Sequence, residues 1–133
     1  KVNLSVDIVD EVSVHGDGGQ LEQALTNLIV NGIQAMPDGG TLTVRTRMAE
    51  APLPGVEIAI SDTGRGITPE DVHRLFTPFF TTKTKGVGLG LTIVQRIVQN
   101  HGGSISVQSE PGQGSTFSVH LPCAPGSESL RVT

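Results

Sequence analysis

The sequence has one cysteine, no tryptophan or tyrosine, and no long hydrophobic run. Because Cys123 is the only cysteine, an intramolecular disulfide is excluded, and we expect a reducing compartment, the cytoplasm. No apolar stretch approaches the roughly 20 residues that span a bilayer. We therefore expect this part of the protein to make no direct contact with a membrane.

Positive charge is also scarce. The 133 residues carry 9 Lys and Arg against 13 Asp and Glu, so the chain lacks a basic field and we expect no nucleic-acid partner. This length fits one domain, which we assign to residues 1–122, with a flexible C-terminal tail over 123–133. Because the first residue is Lys1 rather than Met, we expect a piece of a longer protein whose other parts could carry a membrane anchor.

Common catalytic signatures are missing as well. The four histidines lack metal-ligand spacing, and no Ser/His/Asp constellation is evident, so packing or surface roles are preferred for them. The chain has neither the Gly-Lys-Ser/Thr of a P-loop nor a dinucleotide-binding Gly-x-Gly-x-x-Gly after a strand.

Hydrophobic periodicity predicts short strands and two long helices. Alternating apolar residues predict strands over about 2–8, 11–14, 42–48, 56–60, 104–108 and 115–121. Helical spacing predicts helices over about 18–36 and from Leu89 to the stop at Gly102, with a short helix after Thr68. This order indicates an α+β fold, with helices on one face of a mixed or antiparallel sheet.

The first long helix carries an unusual stripe of uncharged polar residues, namely Gln20, Gln23, Asn27, Asn31 and Gln34. Two Asn side chains at i and i+4 share one helix face, and amide oxygens can ligate a hard cation such as Mg²⁺ beside phosphate oxygens. From this helix alone, a polar face packed against a loop is the preferred interpretation.

An acidic residue closes the predicted strand over 56–60. Asp62 has the strand parity of the core-facing Ile58 and Ile60, so its carboxylate needs hydrogen-bond donors. The exocyclic amine of adenine is one such donor, and Gly64 and Gly66 would let the backbone approach a flat base. Capping of a turn by Asp62 explains the same residues equally well.

A glycine-rich segment, Gly86-Val87-Gly88-Leu89-Gly90, precedes the second long helix. Free N–H groups and the positive end of the helix dipole would meet phosphate there, with Lys83 and Lys85 adding charge. A flexible hinge is the alternative interpretation.

The long segment over residues 63–87 has no extended period and is typical of a functional lid. Three of the four phenylalanines, Phe76, Phe79 and Phe80, lie in it and are expected to pin the lid to the core.

Taken together, these segments resemble the ATP-binding catalytic domain of sensor histidine kinases, in the GHKL ATPase superfamily that also contains DNA gyrase and MutL. The resemblance covers about residues 13–122. Its motifs, in family order, are the N box Asn27-Leu28-Ile29-Val30-Asn31-Gly32, the first glycine box Asp62-Thr63-Gly64-Arg65-Gly66, the F box Leu75-Phe76-Thr77-Pro78-Phe79-Phe80, the second glycine box Gly86-Val87-Gly88-Leu89-Gly90-Leu91, and a final Gly114-Ser115-Thr116-Phe117.

The resemblance implies a Bergerat-type fold, a two-layer α/β sandwich in which about three helices cover a mixed sheet of about five strands. ATP would lie beneath a lid over about 64–87. Asn31 would ligate Mg²⁺, Asn27 would support the metal or phosphates, and Lys83 would face phosphate, which makes these three the expected catalytic residues. The expected ATP contacts are Asn31, Asp62, Gly64, Gly66, Ile67, Phe79, Lys83, Gly86, Gly88, Leu89, Gly90 and Thr116.

The resemblance also implies a function, that of a protein histidine kinase in two-component signalling. Such a domain binds Mg-ATP and donates the γ-phosphate to a histidine on a separate dimerisation and phosphoacceptor domain, from which a response regulator is phosphorylated. Relatives that hydrolyse ATP or phosphorylate serine usually have Glu at the position of Asn27. Because an amide cannot act as a base, Asn27 favours transfer to histidine.

No histidine of this chain has the setting of the family's phosphoacceptor. We therefore expect the isolated domain to be a monomer that binds ATP without autophosphorylation, and its parent protein to be a homodimer. Two alternatives stay open: a non-catalytic ATP-sensing regulatory module, and a serine kinase or ATPase of the same superfamily.

Overall fold

The computed structural model describes residues 2–8, 13–14, 16–50, 54–75, 88–122 and 130–131. Its strands are β1 (Val2–Ile8), β2 (Ser13–Val14), β3 (Gly40–Ala49), β4 (Gly55–Asp62), β5 (Ser104–Glu110), β6 (Gly114–Pro122) and β7 (Leu130–Arg131). Its helices are α1 (Gly18–Gln34), α2 (Pro69–Val72) and α3 (Gly88–Asn100).

Five strands form the main sheet, in the order β1-β3-β4-β6-β5. β1 runs parallel to β3, and the other neighbouring pairs are antiparallel. Among the described residues, this mixed sheet and the three helices confirm the predicted α+β sandwich.

The core lies between the sheet and the two long helices. Residues Leu21, Ala24 and Leu28 of α1 and Val94, Ile97 and Val98 of α3 are buried together with Val56, Ile58 and Ile60 of β4 and with Phe117, Val119 and Leu121 of β6. Alternate residues of β4 and β6 thus face the helices, as the period of two predicts.

Asp17 is the N-cap of α1. The Asp17 side chain accepts a hydrogen bond from the backbone N–H of Gln20 at 3.0 Å. At its other end α1 stops two residues before the predicted Met36, whose N–H bonds to the carbonyl of Ile33, three residues back, rather than four back as in an α-helix.

The start of α3 differs from the prediction, and a strand lies within the predicted tail. The helix α3 already begins at Gly88, so Gly88, Leu89 and Gly90 form its first turn rather than a loop before it. Within the predicted tail over 123–133, Leu130–Arg131 forms β7, which pairs with Ser13–Val14 of β2.

The edge strand β1 presents an apolar row to the helix side of the sheet. Leu4 and Val6 are register partners of Leu42 and Val44 in β3 and therefore share their face. The two long helices lie over β3, β4, β6 and β5. Leu4 consequently stays 64% exposed, whereas its neighbour Leu42 is 1% exposed.

Candidate functional site

Asp62 ends β4 as a buried acid in a row of apolar residues. Its side chain lies on the face that β4 turns toward the helices, and the residue is only 7% exposed. One carboxylate oxygen, Oδ1, accepts a hydrogen bond from the backbone N–H of Gly64 at 2.9 Å. A charge-assisted bond to a backbone amide offsets part of the cost of burying a carboxylate.

The helix α1 reaches Asp62 through a glycine. A Cβ placed on Gly32 would lie 3.7 Å from the Cβ of Asp62 and 3.9 Å from its Oδ2, and 2.6 Å from Leu42 Cδ1. The lack of a side chain therefore permits close approach of α1 to this end of β4. Asn31 precedes Gly32 by one residue and, like Asn27 one turn earlier, is half-buried. The polar stripe of α1 thus ends at the corner that holds Asp62.

Hydrogen bonds hold residues 64–67, which follow Asp62, against β5 and the turn between β5 and β6. The N–H of Gly112 donates to the carbonyl of Arg65 at 2.6 Å, and the N–H of Ile67 donates to Ser109 Oγ at 2.7 Å. Gly66 has φ of +73° and lies against the backbone of Glu110, where a Cβ would collide with the carbonyl oxygen. Residues 64–67, which we predicted to begin the lid, are therefore bound to the sheet.

An open cleft of about 680 Å³ lies between α2 and the ends of β5 and β6 that are joined by the β5–β6 turn. This volume falls within the range of small-molecule sites, about 300–1,000 Å³. Its lining consists of Asp62, Pro69, Val72, His73, Val107, Gln108, Ser109, Glu110, Gln113, Gly114, Ser115 and Thr116. Asp62 is the predicted base-reading residue, and the cleft gives it space for a ligand.

Strand register places Ser115, which the sequence motifs did not identify as a site residue, beside Asp62. Asp62 of β4 pairs with Ser115 of β6, and Ser115 pairs with Ser109 of β5. These three polar residues share the helix-facing side of the sheet, whereas the next row consists of Ile60, Phe117 and Val107. The core face of the sheet thus becomes polar where it meets the cleft.

Thr116 also lines the cleft, but its hydroxyl bonds on the other face of the sheet. Its Oγ1 lies 2.8 Å from Ser61 Oγ, and both side chains lie on the face opposite to that of Asp62. The signal that would have identified Ser115 is strand parity, because Ser115 lies two residues before the core residue Phe117.

The remaining predicted site residues fall into three groups. Lys83, Phe79 and Gly86 fall outside the described residues. The backbone of Gly88, Leu89 and Gly90 is in the first turn of α3, where N–H groups lack partners within the helix. Gly64, Gly66 and Ile67 are brought to the cleft region, as the previous contacts show.

An ion pair between Arg47 and Glu57 joins β3 and β4. The hydrogen bond from Arg47 Nε to Glu57 Oε1, 2.6 Å long, raises the pKa of the Arg47 guanidinium above its ordinary value. Arg47 and Glu57 lie on the open face of the sheet, away from the helices. Within the described part of the chain, no three His, Cys, Asp or Glu side chains group as a metal site, and no helix is long and apolar enough to cross a membrane.

Sequence comparisons identify relatives for most of the chain. Residues 16–125 match the family described as histidine kinase-, DNA gyrase B-, and HSP90-like ATPase. The sensor histidine kinase ZraS of Escherichia coli (strain K12) is 44% identical over 109 residues, which are 82% of this chain and 23% of ZraS. Sporulation kinase C of Bacillus subtilis (strain 168) is 42% identical over 113 residues, 85% of this chain and 26% of that kinase. The chain spans about a quarter of the length of these relatives.

Solved structures agree. The mycobacterial sensor histidine kinase MprB has a TM-score of 0.80 at 30% identity, covering 98% of this chain and 84% of that one. Full-length ShkA in complex with AMPPNP has a TM-score of 0.79 at 26% identity, covering 99% of this chain and 26% of that one. The resemblance to the catalytic domain of sensor histidine kinases is thereby confirmed. The chain belongs to the family of histidine kinase-, DNA gyrase B-, and HSP90-like ATPases.

Proposed function

We propose that this domain binds Mg-ATP and donates the γ-phosphate to a histidine on a separate dimerisation and phosphoacceptor domain of the same protein. A response regulator would then receive the phosphoryl group. The observation that carries the proposal is the buried Asp62 carboxylate at the edge of an open cleft of about 680 Å³. Relatives of this chain that are named sensor histidine kinases support phosphoryl transfer to histidine as the type of reaction.

Recognition of the base is assigned to Asp62. A carboxylate accepts but does not donate, so it suits the exocyclic amine of adenine and disfavours a base with a carbonyl oxygen at the same place. The hydrogen bond from the Gly64 N–H restrains Oδ1 of Asp62 beside the cleft. That ShkA was solved with AMPPNP, an ATP analogue, supports a nucleotide in this fold.

The amide oxygens that α1 offers suit a magnesium ion that is bound to a nucleotide. Asn27 and Asn31 would contribute neutral amide oxygens, which are weak ligands alone and need phosphate oxygens and water to complete the shell of a hard cation. When bound, Mg²⁺ would neutralise phosphate charge as the phosphoryl group leaves. The phosphates would face the first turn of α3, whose Gly88–Gly90 backbone carries amides not bonded within the helix.

Transfer rather than hydrolysis follows from the residue types on α1. Asn27 cannot accept a proton from water, whereas a neutral imidazole is already a nucleophile and needs only positioning and charge stabilisation. We also propose Lys83, Phe79 and Gly86 as nucleotide contacts from the lid, and a cytoplasmic location for the domain.

Calorimetric titration with AMPPNP tests the magnesium assignment. Wild type should bind more tightly with Mg²⁺ than without it, and Asn31→Ala should remove most of that difference. Asn100→Ala is the matched control, because Asn100 is exposed at the end of α3. Equal magnesium dependence in all three proteins would contradict the role of Asn31.

Phosphate chemistry on the full-length parent tests the transfer step. Incubation with labelled ATP should give a product that is labile in acid and stable in alkali, the behaviour of phosphohistidine. An acid-stable, alkali-labile product would instead indicate a serine kinase. Nucleotide binding with no labelled protein would favour the ATP-sensing regulatory module.

A further inference from the structure

Three hydrogen bonds meet at the hydroxyl of Ser109 on β5. It accepts from the N–H of Ile67 at 2.7 Å and donates to the carbonyl oxygen of Gly114 at 3.1 Å. Its third partner is the Ser115 hydroxyl at 2.8 Å. Ser109 therefore joins the segment after Asp62, the β5–β6 turn and the first residues of β6.

The chemistry of these partners fixes the direction of each hydrogen bond. A backbone N–H can only donate and a carbonyl oxygen can only accept, so the single proton of Ser109 goes to Gly114. The Ser115 hydroxyl must then donate its own proton to Ser109. Ser115 is left with lone pairs, and it lies beside Asp62 in the register of the sheet. With its proton used in this way, Ser115 can act toward a ligand only as an acceptor.

We propose that Ser109 is a positioning residue for the base-reading edge of the cleft. It holds the Gly64–Ile67 segment against the β5–β6 turn and turns the lone pairs of Ser115 toward the same edge as the Asp62 carboxylate. This inference rests on the proposed nucleotide function. Two neighbouring acceptors, Asp62 and Ser115, would favour binding of a base that offers an amine over one that offers a carbonyl oxygen.

The variant Ser109→Ala removes the acceptor for Ile67 and the donor for Gly114. We expect about a tenfold loss of affinity for ATP, because binding must then order the base-reading edge that Ser109 no longer holds in place. Affinity for purine riboside triphosphate, which lacks the exocyclic amine, should fall less, so the preference of the domain for ATP should shrink. Ser109→Thr, which keeps the hydroxyl, should restore the preference.

Ser106→Ala is the matched control. Ser106 lies on the same strand, but it pairs with Ser118 on the opposite face of the sheet and is exposed. Both affinities should match those of wild type. Hydrogen exchange gives a readout that needs no nucleotide: the Ile67 amide should exchange at least about tenfold faster in Ser109→Ala, because it has lost its acceptor.

The outcomes separate the two proposals. If wild type binds ATP and Ser109→Ala keeps both the affinity and the ATP preference, the role of Ser109 is overturned and the nucleotide function stands. If wild type binds no ATP, the proposed function falls and the positioning role falls with it. Should Ser109→Ala fail to fold, Ser115→Ala decides: an unchanged preference for ATP would overturn the inference.

Discussion

Asp62, Ser115 and Ser109 occupy three neighbouring strands in one row of the sheet, at the end where the core meets the cleft. Asp62 accepts from the N–H of Gly64, two residues further along the chain, and the register partners Ser109 and Ser115 bond each other. These bonds let polar groups end an otherwise apolar face. Strand parity decides which side chains reach this row. Thr116, one residue from Ser115, reaches the opposite face and bonds there with Ser61.

Substitution of Thr116 tests whether a hydroxyl on the opposite face of the sheet contributes to nucleotide binding. We expect Thr116→Val to leave ATP affinity within about twofold of wild type, and to cost about 1 kcal/mol of stability through the lost bond to Ser61. Calorimetry with ATP and urea unfolding measure the two effects. Ser61→Ala is the control, with the same pattern expected. A large loss of ATP affinity for Thr116→Val would mean that the Thr116 hydroxyl contributes to nucleotide binding.

Among the secondary-structure elements, α1 and α3 are joined at their ends remote from the cleft. The N–H of Asp17, the N-cap of α1, donates to His101 Nε2 at 3.0 Å. On the other side of the ring, His101 Nδ1 lies 2.8 Å from the carbonyl oxygen of Ile97 in the last turn of α3. Because Nε2 accepts, the proton must be on Nδ1, which then donates to Ile97.

This link predicts a fixed tautomer for His101. Nitrogen-15 NMR at neutral pH should show Nδ1 protonated and Nε2 unprotonated, the less common form of a free imidazole. His101→Ala should destabilise the domain by about 1–3 kcal/mol, because the Asp17 amide and the Ile97 carbonyl lose a partner. His73→Ala, at an exposed residue after α2, should have little effect on stability. An Nε2-protonated ring would refute the assignment.

Helices cover Leu42 but not its register partner Leu4, so replacing each by Ala should lower the stability of the domain by different amounts. Leu42→Ala should cost about 2–5 kcal/mol, since its side chain is 1% exposed beneath α1. Leu4→Ala should cost less than about 1 kcal/mol, because Leu4 is 64% exposed on the uncovered strand β1. Chemical unfolding of the two variants measures both values. Equal losses would mean that β1 is covered in solution.

For the whole molecule, local periodicity was sufficient to predict the types of the main elements and the α+β class. Alternation marks β4 and β6, and the helical spacing of Val94, Ile97 and Val98 marks α3. The predicted ends of elements are less accurate, since they depend on bonds such as that from the Met36 N–H to the Ile33 carbonyl, which periodicity does not encode. The chemistry of Asp62 could be predicted because burial of a carboxylate requires donors.

Contacts between distant segments could not be predicted from local pattern. The bond from Ile67 to Ser109 joins residues 42 positions apart, so no periodicity reveals it. The pairing of β7 with β2 likewise joins the two ends of the chain. Placing residues 64–67 in a lid was wrong for this reason, because their composition suggests a loop whereas their partners hold them to the sheet.

Binding of nucleotide should stabilise the whole domain. Because a ligand that binds only the folded state adds RT ln(1 + [L]/Kd), AMPPNP at about 100 times its Kd should add about 2.7 kcal/mol to the free energy of unfolding. Chemical unfolding with and without AMPPNP and Mg²⁺ measures this gain. AMP at the same concentration is the control for the contribution of the phosphates. No gain with AMPPNP would contradict nucleotide binding.

The most direct test of the central claim is a double-mutant cycle between Asp62 and the base amine. The affinities of wild type and Asp62→Asn for ATP and for purine riboside triphosphate give the coupling energy of the pair. We predict about 1.5–3 kcal/mol, the scale of a hydrogen bond to a charged group. A coupling near zero, with both nucleotides equally affected by Asp62→Asn, would show that Asp62 does not read the amine and would contradict the assignment of the site.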